Sequence, residues 1–232
     1  MLLAVDTACG TCSVAVADAQ GALLAFMEER DSARQAERLL PMMEEVLHQM
    51  QLTYSDLSAL ATTIGPGSFT GVRIGMAAML GISLATGLPV YGITTLEAIA
   101  WEVFSALPFA LPEPLVFPPV LVLLNAMRGQ VYAQRFAEDG IPINEPALID
   151  VSAIPSWLGT GEIIAGNCSA IVREILPEIN PAYLLPEMMP HASQAAALAA
   201  KHLASGIAPA DNLAPLYIRA PDAKLPKPAA PL

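Results

Sequence analysis

The chain has 232 residues, more than one average domain and fewer than two, so two small lobes in one compact unit fit its length as well as one larger core. Hydrophobic residues make up 54% and charged residues only 14%, and a surface so poor in charge indicates that a partner covers some apolar area. The net charge of -11, with only 11 lysines and arginines, argues against a protein that grips a nucleic-acid backbone alone, because phosphate binding depends on clustered basic side chains.

The uncharged run between Arg73 and Glu97 raises the question of a membrane span. Glycines and Pro89 divide this run into a predicted helix and a predicted strand, each expected to be too short to cross a bilayer. The opening MLLAVD lacks the basic region of a signal peptide, so we expect a cytoplasmic protein without membrane contact. Three cysteines cannot build a disulfide framework, and the lone pair Cys9 and Cys12 has no further ligands near it, so no metal site is predicted.

The first half of the chain predicts a meander of three strands at 2–6, 13–18 and 22–28, a helix at 33–50 and a strand at 57–64. A glycine turn with its helix follows at 65–86, and then a strand at 90–93 and a helix at 96–105. Pro41 lies inside the first helix, where it removes a backbone hydrogen bond at a cost of about 3 kcal/mol. We therefore expect this helix to kink or restart there. Thr94 and Glu97 have the spacing of a capping box and predict the start of the last helix.

The glycine turn is the sequence GPGSFTGVRIG at 65–75, between an apolar strand and an uncharged helix. Its glycines can take positive φ, a serine or threonine can cap the helix, and its unpaired N–H groups and the helix dipole would suit a phosphate or carboxylate. The predicted anion-contacting set is Gly65, Gly67, Ser68, Thr70 and Arg73. The alternative is a turn without a ligand, because a Gly-Pro-Gly turn needs none and this one lacks the lysine of a phosphate loop.

The helix after the turn has a bare face. Gly71, Gly75 and Ala78 recur at helical spacing, so another backbone can approach closely, while Val72 and Met76 lie on the neighbouring face together with Met79 and Ser83. Such a face packs against the sheet of its own chain or seats a helix from another chain. Both interpretations are compatible with the spacing.

The second half of the chain repeats the order of elements after a proline-rich segment at 107–119, which we interpret as a hinge. The predicted elements are strands at 120–125, 129–137 and 145–150, a short helix from Ser152, a strand at 163–165, and helices at 169–176 and 193–204. The sequence thus predicts an α/β protein divided into an N-terminal lobe at 1–106, the hinge at 107–119, a C-terminal lobe at 120–219 whose last helix packs back on the N-terminal lobe, and a flexible tail at 220–232.

Catalytic candidates are few. Asp6 ends the first strand, where an acid facing a cleft between two lobes could orient a magnesium-bound nucleotide; it could equally be a strand-end residue that accepts turn amides. The second lobe offers only Asn125 at the end of its first strand, and an amide cannot act as a general base. We therefore predict no catalytic residue and a binding scaffold with a vestigial nucleotide-site acid at Asp6. The alternative is a small-molecule kinase or ATPase that uses Asp6 and the glycine turns.

Five segments together resemble the TsaB family, formerly called YeaZ: MLLAVDTACGTCSVAVAD at the start, RLLPM at 38–42, GPGSFTGVRIG, VYGITTL at 90–96 and PLYIR at 215–219. The resemblance implies a two-lobed actin-like or hexokinase-like ATPase (ASKHA) fold with duplicated β-β-β-α-β-α lobes. It also implies a non-catalytic subunit that binds TsaD and, with the ATPase TsaE, supports transfer of threonylcarbamoyl to adenosine 37 of tRNAs that read ANN codons.

The resemblance further implies pairing through the first two helices, with a TsaD-like subunit or with a second copy of the chain. The resemblance implicates the helix from Gly71 to Ala85 as a whole, and the residues singled out are Leu39, Leu40, Met43, Gly71, Val72, Gly75, Met76, Ala78 and Met79. No cofactor is expected to bind tightly, ATP or ADP is placed at the interface of the complex, and tRNA is reached only through the complex. There are two departures from the family pattern. Gln35 replaces a histidine six residues before the proline, and NAMRGQVY at 125–132 replaces D-A-R-x-G-E-V-Y, so that Asn125, Met127 and Gln130 stand in place of an acid, an arginine and a glutamate.

Overall fold

The computed structural model describes residues 1–106, 118–209 and 212–219. Its elements in chain order are β1 (Leu2–Asp6), β2 (Cys12–Ala17), β3 (Leu23–Glu29), α1 (Gln35–Gln49), β4 (Ala59–Thr63), α2 (Phe69–Thr86), β5 (Val90–Ile93), α3 (Thr95–Ala106), β6 (Val120–Asn125), β7 (Gln130–Phe136), β8 (Ala147–Asp150), α4 (Ile154–Trp157), β9 (Ile163–Gly166), α5 (Ser169–Ile175) and α6 (Ala192–Ala204). Most of the predicted hinge and the whole predicted tail lie outside the described residues.

The strands form two mixed sheets with the same plan. The first sheet has the order β3-β2-β1-β4-β5 and the second β8-β7-β6-β9. In each sheet the first three strands pair antiparallel, and the first strand pairs parallel with the fourth. The predicted α/β class and the duplicated order of elements are therefore confirmed.

The two faces of the first sheet differ in side-chain size. On one face Leu3 and Val5 pack under α1 and α2, together with Leu39, Met43 and Met79 of those helices. The other face consists mainly of small residues from β1, β2 and β4, and alanine-rich α6 lies on it. Alanines on both sides let the helix approach the sheet closely, because no long side chain separates them.

Helices α3 and α6 each pack on the sheet that is formed by the other half of the chain, across the predicted hinge in sequence. The buried side of α3, including Leu96 and Ile99, belongs to the same apolar cluster as β6, β7 and β9 of the second sheet. Helix α6 follows the second sheet in the chain but covers the first one. A boundary at residue 106 therefore separates α3 in sequence from the lobe on which it packs.

Two local expectations were wrong, the restart of α1 and the length of α2. Helix α1 continues through Pro41 as one element from Gln35 to Gln49, so it does not restart there, and the alternative of a kink stays a prediction. Pro41 is exposed, so water can satisfy the backbone carbonyl that it leaves without a partner. The second expectation concerned length: α2 has 18 residues and a mean hydropathy of 1.4, which by length and composition alone would allow it to cross a membrane. Only 28% of this helix is buried in the chain, and a single helix of this kind is weak evidence for a span.

Candidate functional site

The carboxyl ends of β1 and β6 meet a cleft of about 390 Å³ between the lobes. The turn after β1 contributes Ala8 and Cys9, and the glycine turn contributes Gly67 and Ser68. The opposite wall consists of Asn125, Met127, Tyr132, Asn167, Met189 and Arg219, with Leu124 and Ala126 between them. A cleft between two lobes is where the predicted nucleotide site would lie.

Asp6 does not line this cleft. Its side chain is completely buried, and its Oδ1 accepts hydrogen bonds from the Thr63 hydroxyl at 2.5 Å and the Ala8 amide at 3.3 Å. Its Oδ2 has no hydrogen-bond partner among the described residues. Burial raises the pKa of Asp6 from 3.8 to about 7. This geometry corresponds to the alternative interpretation, a strand-end acid that accepts a turn amide, and the role of a vestigial nucleotide-site acid stays a prediction.

The turn after β1 and the glycine turn before α2 are in direct backbone contact. The Ser68 amide donates to the Ala8 carbonyl at 2.7 Å, and a Cβ at position 67 would lie 2.4 Å from the same oxygen. Gly65 takes a φ of +99°, as expected, but Gly67 does not adopt a positive φ. Gly67 is required because the two backbones approach closely, and not because of its φ.

Some of the backbone N–H donors of the glycine turn that an anion would need are already hydrogen-bonded within the chain. Ser68 caps α2 as predicted, with its hydroxyl oxygen accepting from the Gly71 amide at 3.2 Å. The Ser68 amide is bound to Ala8, as described above. The Arg73 guanidinium lies 3.5 Å from the centre of the Phe69 ring, and that ring stacks on Tyr217. Anion binding by Gly65, Gly67, Ser68, Thr70 and Arg73 stays a prediction, with fewer available donors than the sequence indicated.

The bare face of α2 packs inside its own lobe. A Cβ on Gly71 would lie 2.1 Å from the Thr7 carbonyl oxygen, and one on Gly75 would lie 2.7 Å from the Thr7 hydroxyl. That hydroxyl donates to the Gly71 carbonyl at 2.7 Å and accepts from the Gly75 amide at 3.1 Å. Of the two interpretations of this face, the structure shows packing against the protein's own sheet.

Most of the residues predicted to face a partner are consequently inside the molecule. The buried ones are Leu39, Met43, Gly71, Val72, Gly75, Met76 and Met79. Leu40 is half exposed and Ala78 is partly buried. The glycine face is thus unavailable to a second chain, because β1 and β4 already occupy it.

A different apolar surface on α1 and α2 faces solvent. Its large side chains are Leu40, Phe69, Leu80 and Leu84, with exposed fractions of 50%, 52%, 41% and 90%. The small residues Ala77, Gly81 and Ala85 are also exposed. We call these seven residues the outer helix face. Sequence reasoning singled out Leu40 and otherwise named the helix at 71–85 as a whole, so Phe69 is the one residue of the seven that it left out. Arg73 is the one charged residue of α2, and a helix so apolar on every side is itself a signal that both sides are covered.

The two departures from the family pattern have structural roles. Gln35 is buried, and its Nε2 donates to the backbone carbonyls of Thr7 and Thr11, which ties α1 to the first turn. The Asn125 side chain accepts from the Met127 amide at 2.8 Å, while the Asn125 amide donates to Asn167 at 2.7 Å. Both residues shape the backbone around the cleft.

The fold defines a class of protein: two duplicated α/β lobes around a cleft, as in actin-like ATPases. The activator of 2-hydroxyisocaproyl-CoA dehydratase from Clostridium difficile, solved with bound ADPNP, shares this fold with a TM-score of 0.50 and 10% identity, covering 88% of this chain and 96% of that one. Much closer is the structure of YeaZ from Pseudomonas aeruginosa, with a TM-score of 0.76 and 27% identity over 93% of this chain and 99% of that one.

Sequence comparisons narrow the class to a family. Residues 29–227 match the family model described as TsaD: tRNA N6-adenosine threonylcarbamoyltransferase. An uncharacterized protein of Mycobacterium tuberculosis is 34% identical over 226 residues, 96% of this chain and 93% of that one. The tRNA threonylcarbamoyladenosine biosynthesis protein TsaB of Escherichia coli is 35% identical over 141 residues, 60% of this chain and 55% of that one. The chain belongs to the TsaB (YeaZ) family, which confirms the resemblance.

Proposed function

We propose that this protein acts in the biosynthesis of tRNA threonylcarbamoyladenosine as a non-catalytic subunit. It pairs with a TsaD-like subunit through the outer helix face and, together with a TsaE-like ATPase, supports the formation of N6-threonylcarbamoyladenosine at position 37 of tRNAs that read ANN codons. The observation that carries this proposal is the apolar helix α2, of which only 28% is buried in its own chain.

The outer helix face has the composition of a protein interface. Leu84 is 90% exposed and follows Leu80 by one helical turn, so large apolar side chains project from one side of α2. Covering such side chains stabilises a complex by about 25 cal/mol per Å² of apolar area removed from water. The small residues Ala77, Gly81 and Ala85 beside them let a partner helix approach, and a Cβ on Gly81 would meet no atom within 4 Å.

The non-catalytic role is supported by the cleft. Asp6 is buried below it, and the opposite lobe presents the neutral Asn125. We propose that any ATP or ADP binds at the interface shared with the partner. The net charge of -11 supports contact with tRNA through the complex and not through this chain alone. In isolation the same face would pair two copies of the chain, and the protein is expected in the cytoplasm.

Leu84→Asp tests the interface. A carboxylate at this exposed position would have to be desolvated in the complex, so we expect co-purification with the TsaD-like subunit of the native host to fall at least tenfold. Ile141→Asp is the matched control, because Ile141 is 61% exposed on the second lobe and lies outside the outer helix face. Retention of the complex by Leu84→Asp, or equal loss in both variants, would contradict the proposed interface.

A further inference from the structure

After α6 the chain returns to the first lobe and then crosses to the second. We call residues 213–219 the strap. The strap begins beside β5, where a Cβ on Gly92 would lie 2.4 Å from the Leu213 side chain. The Leu216 amide donates to the Ile64 carbonyl at 2.7 Å, just after the end of β4. The strap is therefore attached to the first lobe by a backbone hydrogen bond and by a side-chain contact for which a glycine leaves room.

The next two residues of the strap contact different lobes. The ring of Tyr217 stacks on the ring of Phe69 at the start of α2, with 5.5 Å between the ring centres. Ile218 packs against the apolar cluster that α3 forms with β6, β7 and β9 of the second sheet. The strap thus passes from the first lobe to the second within two residues.

Arg219, at the end of the strap, makes a polar contact across the cleft. It lines the cleft, and its Nη2 donates to Gln130 Oε1 at 2.7 Å and to the Met127 carbonyl at 3.4 Å. Both partners belong to the hairpin of β6 and β7 in the second lobe. Because these bonds come from one side chain at a partly exposed position, they can break without disrupting either sheet.

The hairpin turn that Arg219 contacts has an uncommon backbone conformation. Met127 and Arg128 take φ values of +62° and +57°, although neither is glycine. Residues with side chains rarely adopt this conformation, and it persists only where surrounding contacts hold it. The Gln130 amide donates to the Met127 carbonyl at 3.1 Å, and the Arg219 guanidinium donates to the same oxygen. Loss of Arg219 would therefore remove one of the contacts that hold this wall of the cleft.

We propose that the strap sets the opening of the cleft, with Arg219 as a latch between the lobes. The contact of Arg219 with Gln130 belongs to the closed state. When it breaks, the hairpin of β6 and β7 moves away from the strap and solutes reach the cleft more easily. The strap itself stays on the first lobe through Leu216 and Tyr217. This device goes beyond the proposed function and does not depend on it.

Cys9 is a natural probe of opening because it lines the cleft, whereas Cys12 and Cys168 are buried away from it. The test is the rate at which N-ethylmaleimide alkylates each cysteine of the full chain, measured by tandem mass spectrometry of its peptides. Arg219→Ala should raise the rate at Cys9 about tenfold, because the lost hydrogen bond involves a charged group, and should leave the other two rates unchanged.

The direction of the change distinguishes opening from a change in charge. The thiolate is the form that reacts, and burial already raises the pKa of the Cys9 thiol. Removal of a positive charge from the cleft would by itself lower the thiolate fraction and slow the reaction. Faster alkylation of Cys9 in Arg219→Ala therefore reports better access to the cleft.

Two further variants make the test specific to the latch. Gln130→Ala removes the other partner and should accelerate alkylation of Cys9 about as much as Arg219→Ala. The double variant should be less than about twofold faster than either single one, because both changes remove the same contact. Arg173→Ala is the matched control, an exposed arginine of α5 that does not line the cleft, and should change the rate less than about twofold.

Three results would overturn the proposal. The first is alkylation of Cys9 in the unmodified protein as fast as in the urea-unfolded chain, which would mean that the cleft is already open. The second is an unchanged rate at Cys9 in both Arg219→Ala and Gln130→Ala. The third is equal acceleration at Cys12 and Cys168, which would indicate a loosened fold and not an opened cleft. Because every readout is made on the isolated chain, failure here leaves the proposed role in tRNA modification unaffected.

Discussion

At the scale of single residues, glycines and one buried acid set the geometry beside the cleft. Gly67, Gly71 and Gly75 are needed because the backbone or side-chain oxygens of Thr7 and Ala8 lie where a Cβ would be. Asp6 is placed beneath the same turn, where burial raises its pKa to about 7. These close contacts hold the turn after β1 against α2.

Gly71→Ala tests the close approach of α2 to the first turn. The added methyl would lie 2.1 Å from the Thr7 carbonyl oxygen, so the backbone must shift, and we expect the free energy of unfolding in urea to fall by about 2 kcal/mol or more. Gly81→Ala is the control in the same helix. It meets no atom within 4 Å and should gain up to about 1 kcal/mol from helix propensity. A loss of stability at Gly81 equal to that at Gly71 would contradict the packing described here.

Asp6 predicts a pH dependence of stability. Because its pKa is raised on folding from 3.8 to about 7, the folded protein keeps a proton that the unfolded chain releases, so this contribution to stability is full below pH 3.8 and is lost as pH rises through 7. Relative to Asp6→Asn, the unmodified protein should lose up to about 4 kcal/mol of unfolding free energy between pH 4 and 8, at about 1.4 kcal/mol per pKa unit.

Urea melts of the Asp6 pair at each pH measure that difference. Glu138→Gln, which removes an exposed acid, reports the change common to any lost carboxylate. The Glu28 carboxylate and the thiols of Cys9 and Cys12 interact electrostatically with Asp6, so none of them should be altered in this experiment. A difference that stays constant from pH 4 to 8, or increases toward low pH, would contradict the raised pKa.

At the scale of elements, the exchange of α3 and α6 between the lobes is the central feature. Neither sheet is covered only by helices from its own half of the chain, because α6 covers the first sheet and α3 packs on the second. The face under α6 includes Ala4, Ala15 and Ala61. Without α6 this face of the first sheet would be open to water.

A fragment of residues 1–106 tests this exchange. It contains the whole first sheet but lacks α6, so we expect weak near-ultraviolet circular dichroism, binding of a hydrophobic dye and no cooperative thermal transition. The full chain, measured in parallel, should melt cooperatively. A fragment that melts as sharply as the full chain would show that the first lobe folds without the distant helix.

At the scale of the whole molecule, the cleft between the lobes and the outer helix face are two separate surfaces, and the second is the one that we propose for docking. The cleft has Arg219 as its only charged lining residue among those described, and the Nη2 of Arg219 donates to Gln130 Oε1 at 2.7 Å. The outer helix face consists of apolar side chains of α1 and α2, with the exposed Arg73 packed on the Phe69 ring. This arrangement suits a subunit that binds through its surface.

Calorimetry with magnesium and ATP on the isolated chain distinguishes the scaffold from the alternative kinase or ATPase. Because Asp6 is buried and is not among the residues that line the cleft, we expect no binding at micromolar concentration and no release of ADP. The same titration with the complex of this chain and its TsaD-like partner is the positive comparison. Micromolar binding together with turnover by the isolated chain would favour the enzyme.

The sequence by itself determined the class of fold, the order of its elements and the family. Hydrophobic period and turn residues act locally, so strands such as β6 and β9 and helices such as α5 and α6 were predicted within two residues of their ends. The motif GPGSFTGVRIG determined the resemblance because close backbone packing requires its glycines.

Only the tertiary structure decided which face of each helix is covered and where Asp6 points. A stripe of Gly71, Gly75 and Ala78 has the same spacing whether it meets its own sheet or another chain, and the contacts with Thr7 and Thr62 that distinguish the two come from residues far away in sequence. The exchange of α3 and α6 has the same origin. Burial is a property of the whole packed molecule, and no local pattern specifies which distant element provides it.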